Sequence, residues 1–419
     1  MLQEELGAVL DESRKSGRGC AVLMIDLDHF KPINDTHGHE VGDALLLEIA
    51  DRLRCVAGAH GIIARVGGDE FVCVLRYDPG SDLPARVAGQ IIRTVSEPFR
   101  LDAKRLEVGA TIGIARFPED ATIPEELLRT ADMAMYEAKR SGRGGYHYFD
   151  AGMDIRVRER SELEAGMRGA IERGDIAAYF QPVVDLADQR ITGFEALARW
   201  NHPSRGLLMP DTFIPIAEDI GLIDLLSLSM LRQGCIAARA WPAGTTLAVN
   251  ISPVQLKDVW LPARLLAVLT ECGFPPSRLI VEVTENAIIN DIDLAAEVFA
   301  SLQNAGIRLA LDDFGKGYSS LSHLRQLHFN HLKIDSSFLR SMDCVESEKI
   351  VCAIAGLGKA LGMPVTAEGV ETESVAAVLR ALGCEHAQGY LYGRAISARA
   401  TASLFAGSAP EKVQPCLAA

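Results

Sequence analysis

The chain has 419 residues, of which 48% are hydrophobic and 23% charged, and its formal net charge is −14. This length exceeds one ordinary core and predicts two domains, while the acidic balance argues against a general nucleic-acid surface. Nine cysteines without a Cys-x-x-Cys pair indicate reduced thiols rather than a disulfide framework or a zinc site. No signal peptide and no apolar run of membrane-spanning length is recognisable, so we expect a cytoplasmic chain without a membrane segment.

Acidic residues follow the first apolar runs of the chain. The run Ala21–Ile25 predicts a central strand that ends at Asp26. The pair Gly67–Gly68 separates two further apolar runs and is typical of a hairpin turn. The turn leaves Asp69 and Glu70 at its tip, where Asp26 on the adjacent strand can meet them. Such a cluster is typical of sites that bind Mg²⁺ together with phosphates.

These acids belong to a series of motifs that extends through the first half. The series is Asp26-x-Asp-x-Phe-Lys-x-x-Asn-Asp35, Gly38-His39, Gly42-Asp43, Gly67-Gly-Asp-Glu-Phe71, and Ala131-Asp-Met-Ala-Met-Tyr-x-x-Lys139 with Arg143. It resembles the GGDEF diguanylate cyclase family. The resemblance implies an α+β domain with a mainly antiparallel sheet flanked by helices, similar to polymerase palms. It also implies that two such domains, each with one GTP, face each other in a homodimer to make cyclic di-GMP.

The same resemblance implies roles for individual residues. Those implied to hold Mg²⁺ are Asp26, the Leu27 carbonyl, Asp69 and Glu70. Those implied to bind the nucleotide are Asn34 and Asp43 for guanine, and Lys31, Lys139 and Arg143 for phosphates. The Leu-Thr-Gly-Leu-type turn that usually precedes the first helix is missing, so both cyclase activity and a purely regulatory role stay open. The Arg-x-x-Asp product-inhibition motif would fall on Gly58-Ala-His-Gly61 and is absent, so no feedback inhibition through it is expected.

Residues 151–175 join the two halves. This stretch is rich in Arg and Glu, and its apolar residues Ile155, Leu163, Met167 and Ile171 recur at roughly helical spacing. We predict a solvated connecting helix rather than a nucleic-acid-binding arm. The two domains then span 1–150 and 176–406, and the tail 407–419 is expected to be disordered.

Short apolar runs recur through the second half, and each closes on a polar residue. They are Ala177–Gln181, Ile191–Glu195, Leu247–Asn250, Leu279–Glu282, Ile307–Asp312, His331–Lys333, Pro364–Glu368 and Glu385–Gln388. With helical patterns between them, eight strand-then-helix units predict a closed (β/α)8 barrel. The carboxyl ends of its strands meet on one face, which gathers Glu195, Asn250, Glu282, Asp312, Asp313, Lys333, Glu368 and Gln388.

The pair Asp312 and Asp313 carries the strongest chemical signal. Neighbouring side chains on a strand point to opposite faces, so both can share a site only where the strand stops and the backbone turns at Gly315. Two carboxylates this close repel by several kcal/mol in a partly dry site and need a proton or a cation between them. An isolated Asp-Asp pair is usually a solvated turn, but the other polar residues on this face favour a pair of divalent metal ions.

The second half carries a second resemblance. Its motifs are Gln181-Pro182, Glu195-Ala-Leu-Ala-Arg199, Val249-Asn-Ile-Ser252, Glu282-Val-Thr-Glu285, Asp312-Asp-Phe-Gly315, Lys333-Ile-Asp335, Glu368-Gly-Val-Glu371 and Gln388-Gly389-Tyr390. They resemble the EAL cyclic di-GMP phosphodiesterases, with no motif acid replaced. The resemblance implies a TIM-like barrel with one antiparallel strand, and hydrolysis of cyclic di-GMP to pGpG with Mg²⁺ or Mn²⁺.

By this resemblance the barrel residues divide into three groups. The metal ligands are Glu195, Asn250, Glu282, Asp312, Asp313 and Glu368. Lys333 would lie beside the attacking water and the scissile phosphate, Glu285 would brace the loop after Asp313, and Glu368 is also the candidate general base. The substrate contacts are Gln181, Arg199 and Gln388.

Other readings of the chain stay open at this point. The barrel could be a non-catalytic cyclic di-GMP receptor, although such receptors typically lose motif acids, or the chain could act as a net cyclase. An upstream sensor domain is a further expected partner.

Overall fold

The computed structural model describes residues 2–58, 61–101, 104–288, 292–315, 324, 326–342 and 345–405. The chain divides into two units, one up to Ser161 and one from Glu162 onward. The expected disordered tail and residues 59–60 of the product-inhibition position lie outside the described residues. Across the ranges that are described, no helix has both the length and the apolar character needed to cross a bilayer.

The first unit is built on a five-stranded sheet. Its strands are β1 (Gly19–Asp28), β2 (Gly61–Gly67), β3 (Glu70–Tyr77), β6 (Gly109–Phe117) and β7 (Tyr146–Tyr148), and a separate ribbon is formed by β4 (Phe99–Leu101) and β5 (Lys104–Leu106). Its helices are α1 (Leu2–Ser16), α2 (Phe30–His37), α3 (His39–Ala57), α4 (Leu83–Ser96) and α5 (Pro124–Arg140). In the order β2-β3-β1-β6-β7, β6 and β7 are parallel and the other neighbours antiparallel. The predicted mainly antiparallel α+β domain is confirmed.

Both faces of the central strand β1 are covered by helices. Leu23 and Ile25 pack in one core with residues of α3 and α4, while Val22 and Met24 pack in a second core with residues of α1 and α5. This double burial explains the near-continuous apolar sequence of β1, because alternate side chains point to opposite faces of a sheet. The strand runs two residues beyond its predicted end at Asp26.

The second unit is a closed eight-stranded barrel. Its strands are β8 (Ile176–Asp185), β9 (Ile191–His202), β11 (Thr246–Asn250), β12 (Leu279–Thr284), β13 (Arg308–Phe314), β14 (His331–Ile334), β15 (Val365–Glu368) and β16 (His386–Gln388). The strands neighbour each other in this order, and β8 closes the ring by pairing with both β9 and β16. Two short strands, β10 (Gly206–Leu208) and β17 (Ile396–Ser397), extend the sheet. The predicted TIM-like barrel is confirmed.

Helices surround this barrel and cover its outward-facing residues. They are α6 (Gly152–Arg173), α7 (Pro210–Asp219), α8 (Ile223–Ala237), α9 (Leu261–Cys272), α10 (Glu285–Ile288), α11 (Ile292–Asn304), α12 (Ser336–Arg340), α13 (Val345–Leu361), α14 (Glu373–Leu382) and α15 (Ala398–Phe405), with 3-10 turns at Ala238–Ala240, Gln255–Lys257 and Pro276–Arg278. Alternate strand residues such as Val281 and Leu332 pack against them in one large core, whereas Ala248, Ile280 and Ala310 form a separate small cluster. Because strand side chains alternate, this small cluster lies inside the barrel.

Two predictions about the second half need correction. Strand β8 is antiparallel to both neighbours, and a turn rather than a helix leads from it into β9. The prediction of eight identical strand-then-helix repeats is therefore wrong for the first repeat of the barrel. The single antiparallel strand that the family resemblance implied is present. The connecting helix α6 is also not simply solvated: Ile155 is 61% exposed, but Leu163, Met167 and Ile171 are buried in the core of the second unit.

Candidate active site

Carboxylates from four barrel strands converge on the side chain of Lys333. Its Nζ lies 2.6 Å from Glu368 Oε1 and 2.8 Å from Glu282 Oε2. Glu195 Oε2 and Asp312 Oδ2 each lie 3.5 Å from the same nitrogen. The lysine is only 3% exposed, so four of the predicted site acids meet around one buried cation.

Strand register explains why these side chains share one site. Asn250 is paired with Glu282 across β11 and β12, and Gln181 is opposite Glu195 although β8 runs the other way. Paired residues at one level of a sheet face the same side, which here is the barrel interior. A slip of one residue in any strand would turn its site residue outward to the helices.

Two amides fix both oxygens of the Glu195 carboxylate. Asn250 Nδ2 donates to Oε1 at 2.6 Å, and Gln388 Nε2 donates to Oε2 at 2.7 Å and to Gln181 Oε1 at 3.1 Å. The sequence predicted Asn250 as a metal ligand, yet its nitrogen rather than its oxygen faces Glu195. Gln388 Oε1 is buried and has no hydrogen-bond partner within the described part of the chain, so it can accept a hydrogen bond from a ligand.

A β-bulge interrupts the regular pairing of β13 at Asp312 and Asp313. The predicted end of the strand at Asp312 is wrong, because the strand continues to Phe314. Its pairing with β14 shifts between Leu311 and Phe314. Asp313 adopts a left-handed backbone with φ 56°, and its N–H donates to Asp312 Oδ1 at 2.8 Å. A bulge kinks the strand and redirects its side chains, which a regular strand would send to opposite faces.

Glu285 holds the backbone immediately after this bulge. Its Oε2 accepts a hydrogen bond from Gly315 N at 3.0 Å, and the side chain is 2% exposed. Gly315 has φ 101°, a conformation that favours glycine. The contact agrees in position with the bracing role that the family resemblance implied for Glu285.

Burial and neighbouring charges shift the pKa values of the cluster in opposite directions. Burial, reinforced by Glu195 and Asp312, raises the pKa of Glu282 well above its usual value, and burial raises that of Glu368 to about 8 against the opposing effect of Lys333. Burial also acts on Glu195, but Lys333 and the two amides outweigh it and hold its pKa below the usual value. The surrounding carboxylates raise the pKa of Lys333 further despite its burial. The raised pKa values of Glu282 and Glu368 show that the crowded cluster favours uptake of protons, and a cation in the same place would relieve the same repulsion.

A cavity of about 310 Å³ opens over the cluster. It is lined by Gln181, Glu195, Leu197, Asp312, Ser336, Arg340, Glu368, Gly369, Glu371, Gln388, Gly389 and Tyr390. Arg340 was not predicted as a lining residue, because it lies on a short helix after β14 and outside the motifs. Arg394, also unpredicted, stacks on Tyr390 with its guanidinium carbon 4.1 Å from the ring centre.

Arg199 is not among the described residues that line this cavity. Its Nη1 donates to the carbonyl of Ala198 at 2.8 Å. Burial lowers the pKa of Arg199, and the charges of Tyr390 and Glu195 partly oppose that shift, so the guanidinium lies within electrostatic reach of the site. Its predicted phosphate contact stays a prediction.

The donor chemistry of the cluster fits a hard divalent cation, since carboxylate and amide oxygens are the ligands that such a cation prefers. The arrangement of those atoms is different from a formed metal site. Among the described residues, no three His, Cys, Asp or Glu side chains are placed to hold one metal ion. The oxygens that such an ion would use face the Lys333 ammonium instead.

The first unit brings together a smaller acidic cluster. Asp26 is paired with Glu70 across β1 and β3, and the N–H of Leu27 donates to the Asp69 carbonyl at 3.3 Å. Lys139 Nζ lies 2.6 Å from Asp26 Oδ2. Burial raises the pKa of Asp26 against the effect of Lys139, and burial also raises that of Glu70, with Asp26 among the contributing charges. The predicted hairpin turn at Gly67–Gly68 therefore places its acids beside the end of β1.

Close packing of a helix positions Lys139. A Cβ at Gly113 of β6 would lie 2.0 Å from the Ala131 carbonyl oxygen and 2.1 Å from Met135 N. Only glycine permits α5 to approach the sheet this closely. This approach brings the last turn of α5, which carries Lys139, over the end of β1.

The predicted guanine and phosphate residues lie around this cluster. A Cβ at Gly42 would lie 1.8 Å from Asn34 Oδ1, which is buried and lacks a hydrogen-bond partner among the described residues. Lys31, Asp43 and Arg143 are exposed, and the structure does not bring them into contact with the acids within its described ranges.

Asp28 has a role that the sequence did not predict. It is 5% exposed and accepts hydrogen bonds from Thr111 Oγ1 at 2.8 Å and from Gly144 N at 3.2 Å. It thereby fixes the turn that carries Arg143, whose φ is 58°. A second acid on the same face of β1, two residues after Asp26, was the available signal.

Comparison with known families assigns both units. Residues 1–145 match the family model "Diguanylate cyclase, GGDEF domain", and residues 164–395 match the model "EAL domain". An uncharacterized signaling protein of Caulobacter vibrioides is 44% identical over 94% of this chain and 49% of its own length. The bifunctional diguanylate cyclase/cyclic di-GMP phosphodiesterase MucR of Pseudomonas aeruginosa is 38% identical over 95% of this chain and 59% of its own length.

The chain thus spans between about half and three fifths of the length of these relatives. Among solved structures, the PaMucR phosphodiesterase in complex with c-di-GMP is 37% identical, with a TM-score of 0.55, and covers 57% of this chain and 98% of its own. The chain belongs to the family of cyclic di-GMP signalling proteins in which a GGDEF domain is followed by an EAL domain.

Proposed function

We propose that the EAL barrel hydrolyses cyclic di-GMP to the linear dinucleotide pGpG. The observation that carries this proposal is the convergence of Glu195, Glu282, Asp312 and Glu368 around Lys333 beneath an open cavity. A structural role would not require so many buried acids, since burying charge is costly without compensation. The structure of the similar MucR phosphodiesterase with c-di-GMP supports the ligand class.

Mg²⁺ or Mn²⁺ is the cofactor that this donor set would take. The residues that would hold it are Glu195, Asn250, Glu282, Asp312, Asp313 and Glu368. Such ions, when bound in a pair, lower the pKa of a bound water and stabilise charge on a phosphoryl group. Because Asn250 now presents its nitrogen to Glu195, ligation through its oxygen requires rotation of the amide.

The protein's own groups have complementary roles in this proposal. Glu368 accepts the proton of the attacking water as a general base. Lys333 balances the negative charge that grows on the scissile phosphate. Glu285 keeps the bulge of β13 in place through Gly315, while Gln181, Gln388 and Arg199 orient the substrate.

The direct test is product analysis with the purified chain. Incubation with cyclic di-GMP and Mg²⁺ or Mn²⁺ is expected to yield pGpG, resolved by chromatography, and chelation of the metal is expected to stop the reaction. Substrate that binds stoichiometrically but stays intact with either ion would instead establish a non-catalytic receptor. No binding at all would contradict both assignments.

The GGDEF unit is proposed to bind GTP with Mg²⁺ and to retain cyclase activity as a homodimer. Supporting observations are the pairing of Asp26 with Glu70, the Lys139 contact and the unpartnered Asn34 oxygen. Incubation with GTP and Mg²⁺ is expected to yield cyclic di-GMP when a hydrolysis-deficient barrel variant is used. GTP binding without product would leave this unit with a regulatory role, and product formation exceeding hydrolysis in the unmodified chain would make the protein a net cyclase.

A further inference from the structure

A second cavity extends from the opposite end of the barrel up to the underside of the acidic cluster. Its volume is about 220 Å³, and its lining includes Arg308, His331 and His386 with Thr192, Thr246 and Thr366. Arg308, His331 and His386 are the first residues of β13, β14 and β16. We call this space the basal cavity, because it lies at the amino-terminal ends of the parallel strands.

Inward-facing residues at different levels of one strand lie at different ends of the barrel interior. Arg308 and Asp312 are four residues apart on β13, a distance of about 13 Å at 3.3 Å per residue, and both point inward. Between them lies the apolar layer of Ala248, Ile280 and Ala310. The barrel interior is therefore acidic at its carboxyl end and basic at its amino end, and the upper wall of the basal cavity is formed by Glu282 and Lys333.

Two buried nitrogen atoms of the basic side chains lack partners within the described part of the chain. Arg308 Nε and His386 Nδ1 are buried and have no hydrogen-bond partner among the residues described. Burial lowers the pKa of Arg308, and no carboxylate offsets that effect. Buried polar atoms are normally satisfied and buried charges normally paired, so a guanidinium whose buried Nε has no partner beside an open cavity favours the binding of an anion there.

The three basic side chains also act on one another. Burial lowers the pKa of His331 to about 4, with Arg308 and His386 contributing. Burial lowers the pKa of His386 as well, although Asp185 and Glu385 oppose the shift and the ring is hydrogen-bonded to the backbone of Val184. Both imidazoles are therefore neutral near pH 7, and a bound anion would favour their protonation.

We propose that the basal cavity binds a small oxyanion of the phosphate or sulfate class, held by Arg308 with His331 and His386. The guanidinium presents a fork of donors that matches an oxyanion edge. The hydroxyls of Thr192 and Thr246 already donate to the carbonyls of Val183 and Thr192, so the anion would depend on the basic side chains. Sites for drug-sized ligands measure roughly 300 to 1,000 Å³, so this smaller cavity fits a free anion rather than a nucleotide. This proposal is independent of the hydrolase assignment.

The test uses the full chain with isotopically labelled histidine. His331→Gln and His386→Gln identify the two imidazole signals by NMR, and inorganic phosphate is then titrated at constant ionic strength with chloride as the balancing salt. Both signals are expected to shift saturably in the unmodified chain. Signals that move no more with phosphate than with chloride would overturn the proposal.

Variants locate the binding. Arg308→Met is expected to weaken phosphate binding by roughly tenfold or more, because a charge-assisted hydrogen bond is lost. Arg232→Met is the matched control, since it removes an exposed arginine that pairs with Glu271 in the same unit. Unchanged affinity in Arg308→Met would refute the site. If Arg308→Met does not fold, Arg308→Lys keeps the charge but loses the fork, and it is expected to bind phosphate more weakly than the unmodified chain.

Two further arms define the ligand. Sulfate does not titrate near neutral pH, so its affinity should rise as pH falls from 8 to 6 if binding favours the imidazolium forms. Glucose 6-phosphate carries the same oxyanion on a bulky group and is expected to bind at least about tenfold more weakly than phosphate, because the cavity is small. Sulfate affinity that does not rise, or equal affinity for the ester, would overturn the assignment of a free oxyanion in this cavity.

Discussion

The ammonium of Lys333 and the carboxylate of Glu368 form a 2.6 Å ion pair at the centre of the EAL barrel. Three further carboxylates lie within 3.5 Å of the same ammonium. Lys333 is therefore an internal counter-ion for the whole acidic cluster, which extends the role beside the scissile phosphate that its motif suggested.

Replacement of Lys333 by Met should destabilise the metal-free EAL unit. Removal of one partner from a buried ion pair costs about 3 to 5 kcal/mol, and here several acids lose their counter-ion together. The free energy of unfolding can be measured by urea titration with tryptophan fluorescence, because Trp200, Trp241 and Trp260 all lie in the second unit. Addition of Mn²⁺ should restore more stability to Lys333→Met than to the unmodified chain.

The control for that experiment is Lys359→Met, which removes an exposed lysine on the helix Val345–Leu361. It should leave the unfolding midpoint nearly unchanged, since exposed charges contribute little. Equal midpoints for Lys333→Met and Lys359→Met would show that the acids do not depend on the ammonium.

Asp312→Asn should abolish hydrolysis while the barrel stays folded. The substitution keeps the size of the side chain but removes a charge that the proposed metal site needs, and we expect the pGpG rate to fall by about a hundredfold or more. Product formation is followed by chromatography, and folding by tryptophan fluorescence. Glu297→Gln removes an exposed carboxylate on the helix Ile292–Asn304 and should hydrolyse normally. A rate for Asp312→Asn within twofold of that control would exclude the assigned site.

Glu285 is expected to act as a positioning residue. Its carboxylate contacts the N–H of Gly315 rather than the cavity, so Glu285→Ala should release the bulge that presents Asp312 and Asp313. A drop of about 10-fold to 100-fold in kcat is expected, with weaker apparent affinity for Mn²⁺. Glu285→Gln keeps an acceptor oxygen and should recover most of both quantities. An effect on stability alone, with Mn²⁺ affinity unaltered, would contradict the positioning role.

Asp69→Asn separates the two proposed activities. The substitution removes one acid from the cluster with Asp26 and Glu70, so any conversion of GTP to cyclic di-GMP should be lost. Hydrolysis of cyclic di-GMP by the EAL unit should stay within about twofold of the unmodified chain, and it serves as the internal control. Synthesis at the original rate would show that the metal acids of this unit lie elsewhere.

The partly buried ring of His331 makes the stability of the chain depend on pH. Its pKa in the folded chain is about 4, below the value of about 6.5 in an unfolded chain. The unfolded chain therefore binds more protons between these values, and the free energy of unfolding decreases as pH falls through this window. The loss should approach about 3 kcal/mol at the acidic end, in buffer free of phosphate and sulfate.

His331→Gln should remove this part of the pH dependence. His328→Asn is the matched control, because His328 is exposed and its φ of 50° suits asparagine. Urea unfolding followed by tryptophan fluorescence at several pH values measures both variants. Parallel pH profiles for His331→Gln and the unmodified chain would contradict the proposed origin of the effect.

Strand positions in the barrel were predictable because each buried run ends near a polar residue. Glu282 and Glu368 lie where that pattern placed them, near the carboxyl ends of β12 and β15. The reversal of β8 was not read from the pattern, since alternation has the same period in both strand directions. The short connection between Asp185 and Ile191 was the missed signal, because a parallel crossover needs about a dozen residues.

Details of the site depend on contacts that sequence does not encode locally. The bulge at Asp313 arises from the pairing of β13 with β14, which the sequence of β13 alone does not specify. Likewise, the central position of Lys333 depends on four carboxylates that are spread over 173 positions of the chain, from Glu195 to Glu368. Motif resemblance identified these residues, whereas the distances between Lys333 and the carboxylates follow only from the folded barrel.

The position of Lys333 within the acidic cluster has a consequence for the metal-free protein in a cell. Because Lys333 offsets part of the negative charge of the carboxylates, the barrel does not require bound metal in order to fold. Small domains that fold only when zinc is bound behave differently. Under the proposed function, a shortage of divalent ions would then produce a dormant pool of intact protein rather than a substrate for proteases. Recovery would follow the return of the ions, without new synthesis.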